Sequence, residues 1–146
     1  MLFSNETNLI NITIYYTIFE DHYGKRVVVI PEVKAKELLK NEEKKKKVFI
    51  LSTKWKQLNW EEHQTTMNQN VNISDPITGQ VQFDIYKFRD NKIKAGLKEW
   101  NLTDDDNKPI PVTPEKINQL PADIVGELLS EYEKVTEWSK SDMEKL

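Results

Sequence analysis

Residues 8–19, NLINITIYYTIF, constrain this chain more than any other stretch. Ile10, Ile12 and Ile14 alternate with Asn11 and Thr13, the period of two that puts one side of a strand against a core and the other in water. EDHYGK follows as turn chemistry, with Gly24 free to take positive φ. RVVVI (26–30) then reads as a second strand, giving an antiparallel hairpin. A lone hairpin is marginal in water, so the rest of the chain must supply a third strand or a covering helix.

Candidates for both follow. Pro31 suits the first turn of a helix, and EVKAKELLKNEEKK is made of helix formers with a thin apolar stripe of Val33, Ala35, Leu38 and Leu39. VFIL (48–51) is a short apolar run and reads as a third strand. Asn59 is a candidate N-cap for a helix of about a dozen residues, with Glu61 and Glu62 at its positive end. SDPITGQ (74–80) is a turn, broken by Pro76 and Gly79. The spacing of Phe83, Tyr86, Ile93, Leu97 and Trp100, widened by Ile85 and Phe88, predicts one long helix over 81–100, with Gly96 as its weak point. Thr113-Pro114-Glu115 opens a short helix. Pro121 begins a longer one to about 137, striped by Ile124, Val125, Leu128, Leu129, Tyr132 and Val135, with Gly126 placed for a close backbone approach. The predicted class is α+β: residues 1–80 form a β-rich part with one or two helices, residues 81–146 a helical part, and the two make one compact unit. The long helices are expected to meet through their apolar sides.

Chemistry is scarce. The absence of cysteine excludes disulfides, thiolate zinc sites and cysteine nucleophiles. Twenty-four acids against 21 bases leave a net charge of -3, without the basic excess that phosphate binding brings. No apolar run approaches the roughly 18 residues of a membrane span. The first residues, MLFSNETN, lack the basic region of a signal peptide, so the sequons at Asn5, Asn11, Asn72 and Asn101 are read as chance matches.

Asp104-Asp105-Asp106 invites a calcium loop, but Lys108 and Pro109 fall on the fifth and sixth positions, where a ligand and a glycine are needed. The segment from Asn101 to Val112 is expected instead to be an ordered crossing, capped by aspartates and stiffened by Pro109 and Pro111. His22 and His63 have no partner at ligand spacing. Asp84 and Asp90 read as helix-surface charge, since no nucleophile or second positioned acid joins them. Lys44–Lys47, preceded by Glu42 and Glu43, solvates an exposed connection; contact with nucleic acid or an acidic partner through it is the competing reading. No catalytic, cofactor-binding or metal-binding residue emerges, and no small-molecule substrate. Among the large aromatics Trp100 is assigned to the core, while Trp55, Trp60 and Trp138 are the candidate partner contacts.

The second half carries a further pattern: VFILSTKWKQLNWEEHQTTMNQN, then DPITGQVQFDIYKFRDNKIKAGLKEWNL, then DDDNKPIPVTPEKINQLPADIVGELLSEYEKV. It resembles small structural and assembly proteins of tailed bacteriophages, the tail-assembly chaperone type in particular. There a helix ends in a tryptophan-containing segment, and an acidic turn, a P-x-T-x-E-x-I helix start and an L-P helix follow. The similarity spans about residues 48–137 and consists of helix and turn punctuation without a catalytic signature. Asn107 stands where a glycine is frequent, and asparagine tolerates the left-handed conformation next best. The resemblance implies a non-enzymatic protein that contacts other tail or virion proteins, in the host cytoplasm during assembly or in the particle, and that can oligomerise. A permanent subunit of the baseplate, neck or connector is the alternative it leaves open. A small enzyme or enzyme regulator and a nucleic-acid adapter are the alternatives from other classes.

Overall fold

The structure is a computed structural model that describes residues 9–68, 71–75, 80–137 and 140–146, with residues 71–75, 80–83 and 140 given by their backbone alone. The elements in chain order are β1 (Ile10–Asp21), β2 (Gly24–Ile30), α1 (Glu32–Leu39), β3 (Phe49–Trp55), α2 (Trp60–Asn68), β4 (Val71–Asp75), β5 (Gln80–Phe83), α3 (Ile85–Gly96), β6 (Leu97–Trp100), α4 (Pro114–Asn118), α5 (Ala122–Thr136) and α6 (Lys140–Met143). The class is α+β: an antiparallel sheet built chiefly from the first half of the chain, followed by helices.

The alternating stretch forms β1, which is long enough to serve two neighbours. Its first part pairs with β3, from Ile10↔Trp55 to Tyr16↔Phe49, and its second part pairs with β2, from Tyr15↔Ile30 to Asp21↔Gly24. The sheet has the order β2-β1-β3-β6, while β4 and β5 form a separate two-stranded ribbon. Gly24 closes the β1–β2 hairpin at φ 112°, and the Asp21 carboxylate accepts from the Tyr23 amide within the turn.

Strand alternation divides the sheet into two faces. Ile12, Ile14, Leu51 and Trp55 point to one side, where Ile124, Leu128, Leu129 and Tyr132 of α5 cover them. Ile93, Leu97 and Ile117 complete this core. One core therefore draws on both halves of the chain. Tyr15 and Ile30, a register pair one step out of phase with Ile14, point to the other side. There Ala35 of α1 is buried against Ile30 and Val48, with Leu38 and Leu39 packed around them. α1 caps one end of that face and leaves the rest open.

The predicted helix over 81–100 is three elements. β5 ends at Phe83, and Asp84 then caps α3, its carboxylate accepting from the Tyr86 and Lys87 amides. Asp84 is thus a helix cap and not a face charge. Leu97–Trp100 leaves the helix and pairs with β3. A regular strand cannot turn residues three apart to one side, but the register shifts between Lys54 and Trp55: Trp55 opposes Leu97, while Lys54 opposes Glu99. The extra residue, Lys98, lets both Leu97 and Trp100 pack on the core. The bulge produces the three-residue spacing that imitates a helix. Tyr86, predicted on the buried stripe, is exposed, because the first turn of α3 projects from the core.

The two long helices share one core with the sheet. Ile93 of α3 lies in the same core cluster as Ile124, Leu128, Leu129 and Tyr132 of α5, and a polar link joins the two helices beside it. Lys92, whose side chain is only 9% exposed, reaches Glu137 at 3.3 Å and Glu133 at 3.6 Å. Its ammonium also lies 5.4 Å from the Phe88 ring centre and 5.8 Å from that of Tyr132.

The proline-rich segment is an ordered crossing. Asp104 accepts from the Asp106 and Lys108 amides, Asn107 takes φ 60°, and the Ile110 amide donates to the Leu102 carbonyl. The Trp100 indole N–H reaches the Ile110 carbonyl at 2.6 Å, so the strap is bolted to the sheet. Asn101 adds to this by accepting from the Ser52 amide and donating to the Ile50 carbonyl. Thr113 then caps α4 through the Lys116 amide.

Candidate interaction surface

The polar features come to rest in structural roles. Asp104 spends its carboxylate on loop amides, and among the described residues no group of three His, Asp or Glu side chains could hold a metal ion. His22 leans on Tyr23, and His63 lies 6.3 Å from Trp60 between ring centres. Asp90 pairs with Lys94 one helical turn on. An open groove of about 330 Å³ lies between α2 and α3, lined by Glu61, Glu62, Thr65, Thr66, Asn91 and Ala95. Glu62 in this groove is committed: it forms a capping box with Asn59 and an ion pair with Lys56 at 2.9 Å. Burial disfavours its charge, but hydrogen bonds from Lys56 and the Asn59 amide, with the charges of Lys56 and Lys98, outweigh this and hold its carboxyl below the usual range. Among the described residues no helix is long and apolar enough to cross a membrane.

The candidate tryptophans separate. Trp55 is fully buried and stacks on Tyr132 at 4.5 Å between ring centres. Its indole N–H donates to the Thr53 hydroxyl, which donates to the Ile12 carbonyl. A side chain so enclosed cannot touch a partner, so the expectation for Trp55 is corrected: it is the centre of the core. The sequence hides this because STKWK is polar at every second position, while Leu51, Thr53 and Trp55 all point inward. Trp60, at the start of α2, is 75% exposed. Trp138 lies outside the described residues, as do Pro76 and Gly79.

A further apolar surface lies on the sheet. β3 pairs with β1 no further than Tyr16↔Phe49, while β2 continues to Asp21↔Gly24. The hairpin therefore extends past β3 as a two-stranded ribbon over Thr17–Asp21 and Gly24–Val28. On the face that α1 leaves open, Phe19, Val28 and Ile50 are 49%, 43% and 45% exposed. Register connects them: Tyr15 opposes both Ile30 and Ile50, Thr17 opposes Val28, and Phe19 opposes Arg26. The Arg26 guanidinium lies 5.3 Å from the Phe19 ring centre and pairs with Asp21 at 2.8 Å. The opposite face of the ribbon exposes Ile18 and Phe49, the latter stacked on Tyr16. Burial also pushes the Tyr16 phenol above its ordinary value. Among the described residues β2 is an edge strand, with its outer backbone groups unpaired within the sheet.

Sequence reasoning passed over these residues. The available signal was that VVVI and VFIL are continuously apolar. Strands of that kind are apolar on both faces and need two covers. α5 supplies one cover, and the thin stripe of α1 supplies part of the second. Neither a protein-family model, nor a curated protein, nor a solved structure matches the chain.

Proposed function

We propose that the chain is a binding protein and not an enzyme, and that it serves the assembly of tailed-phage virions by contacting other proteins through the uncovered side of its sheet. The observation that carries this reading is the exposure of Phe19, Val28 and Ile50 on one sheet face beside a strand edge. An apolar sheet face of this kind gains stability when another protein covers it. The edge of β2 can add a backbone ladder to the same contact. The phage setting rests on the resemblance of residues 48–137 to tail-assembly chaperones. The free edge of β2 also favours a second reading, a permanent virion subunit that joins a neighbour's sheet.

The test is made in a phage that carries this chain. Val28→Asp and Ile50→Asp change half-exposed side chains, so both variants are expected to melt cooperatively in isolation while particle yield falls by at least tenfold. Normal yield from both folded variants would contradict the proposal. Mature particles lacking the chain mark the chaperone reading; particles containing it at fixed stoichiometry mark the subunit reading.

A further inference from the structure

Two segments of this chain carry opposite charge, and the sheet separates them. Residues 32–47, which hold α1 and the connection to β3, carry seven lysines against four glutamates. Residues 113–137, which hold α4 and α5, carry six acids against two bases. α1 packs on the face of Tyr15 and Ile30, whereas α4 and α5 pack on the face of Ile12 and Ile14. The basic and acidic segments therefore lie on opposite sides of one sheet.

Local ion pairs leave much of this charge uncompensated. On the basic side Lys36 meets Glu32 and Lys45 meets Glu42. Lys40, Lys44, Lys46 and Lys47 are exposed and make no ion pair among the described residues. On the acidic side Lys92 and Lys134 engage Glu131, Glu133 and Glu137. That leaves Glu115, Asp123 and Glu127 without an ion pair among the described residues, around the exposed Pro121 and Ala122. The basic side is also the side onto which Phe19, Val28 and Ile50 open.

The open face thus calls for an occupant that is acidic and has small apolar residues between its acids, and the chain carries such a surface on its own far side. We infer that copies of this chain associate head to tail, the basic, apolar sheet face of one docking on the α4–α5 side of the next. This rests on the reading of the open face as a contact surface and names its partner as a second copy. The two surfaces differ, so the contact is heterologous. It does not close at two copies but runs on into a ring or a filament. Nucleic acid is the poorer match: Glu42 and Glu43 interrupt the lysines, and Phe19, Val28 and Ile50 have no role against phosphates.

The experiment is sedimentation of the full chain over a range of concentrations at low and high salt. Growth beyond a dimer is expected at about 50 mM salt and its loss at about 500 mM, where screening confines charge to contact distance. One variant alters the basic side (Lys44→Gln, Lys47→Gln, Ile50→Asp) and another neutralises the acidic side (Asp123→Asn, Glu127→Gln). Each alone is expected to remain monomeric at concentrations tenfold above those that assemble the wild type. Mixed in equal amounts, they are expected to stop at a dimer, since each keeps one intact surface. A wild type that stays monomeric at low salt overturns the inference, as does a closed symmetric dimer. So does a duplex oligonucleotide bound through Lys44 and Lys47 without self-association. A monomeric wild type whose Ile50→Asp form still blocks particle assembly refutes the self-partner alone. Head-to-tail growth combined with normal assembly of Ile50→Asp particles refutes the virion role and leaves the contact standing.

Discussion

Around Trp55 three parts of the chain come within van der Waals reach, and single atoms decide what fits. A Cβ at Gly96 would stand 3.1 Å from the Trp55 ring and 3.4 Å from the Tyr132 hydroxyl. A Cβ at Gly126 would meet nothing within 4 Å. The sequence suggests the opposite, a close approach at Gly126 and a mere weak point at Gly96, because a glycine beside an apolar stripe reveals nothing of the partner's distance. Gly96→Ala is expected to destabilise by about 1–2 kcal/mol through overpacking. Gly126→Ala is expected to stabilise by about 0.5–1 kcal/mol by removing backbone freedom inside a helix. Denaturant midpoints of the two variants check both signs. Tyr132 gives a pH dependence. Burial pushes its phenol above the ordinary value, the Leu58 amide opposes this, and the Glu62 carboxylate adds to it. The folded state thus favours the protonated phenol. Its contribution is complete below about pH 10, where the unfolded tyrosine titrates, and is lost as pH rises beyond that. Melting temperature should fall less steeply above pH 10 in Tyr132→Phe than in the wild type; equal slopes would contradict the assignment.

At the scale of elements, local chemistry sets most boundaries. Asn59, Asp84 and Thr113 each accept amides at a helix start. Asn59 and Thr113 are legible in the sequence because polar caps stand directly before helix formers. Asp84 was obscured by the apolar residues on both sides of it, and β6 by its bulge. The link between α3 and α5 is asymmetric. Glu133→Gln with Glu137→Gln leaves the buried Lys92 ammonium without a carboxylate and is expected to cost about 1–3 kcal/mol. Lys92→Met leaves two glutamates that can rehydrate and is expected to be close to neutral. Thermal unfolding of both variants reads the difference; an equal cost would show that the pair acts through simple attraction. Leu128, fully buried against the sheet, admits no charge, so Leu128→Asp is expected to abolish cooperative unfolding.

For the whole molecule, the class, the first hairpin and the existence of a third strand were legible, since β1 alternates cleanly and the turn after it is explicit; the place of β3 beside β1 was not. The packing arrangement was not. The period of a helix shows that it buries a side, and the sheet face it covers depends on strand register and on contacts between distant segments. The same limit concealed the open sheet face: Phe19, Val28 and Ile50 look like core residues until the covers have been counted. Photo-crosslinking in the producing cell, with a photoreactive phenylalanine analogue in place of Ile50, tests most directly whether the open sheet face is where this protein meets others. The expected result is a discrete adduct with a virion or tail protein, or with a second copy, and none from the same analogue at the exposed His63. Adducts from position 63 and none from position 50 would contradict it.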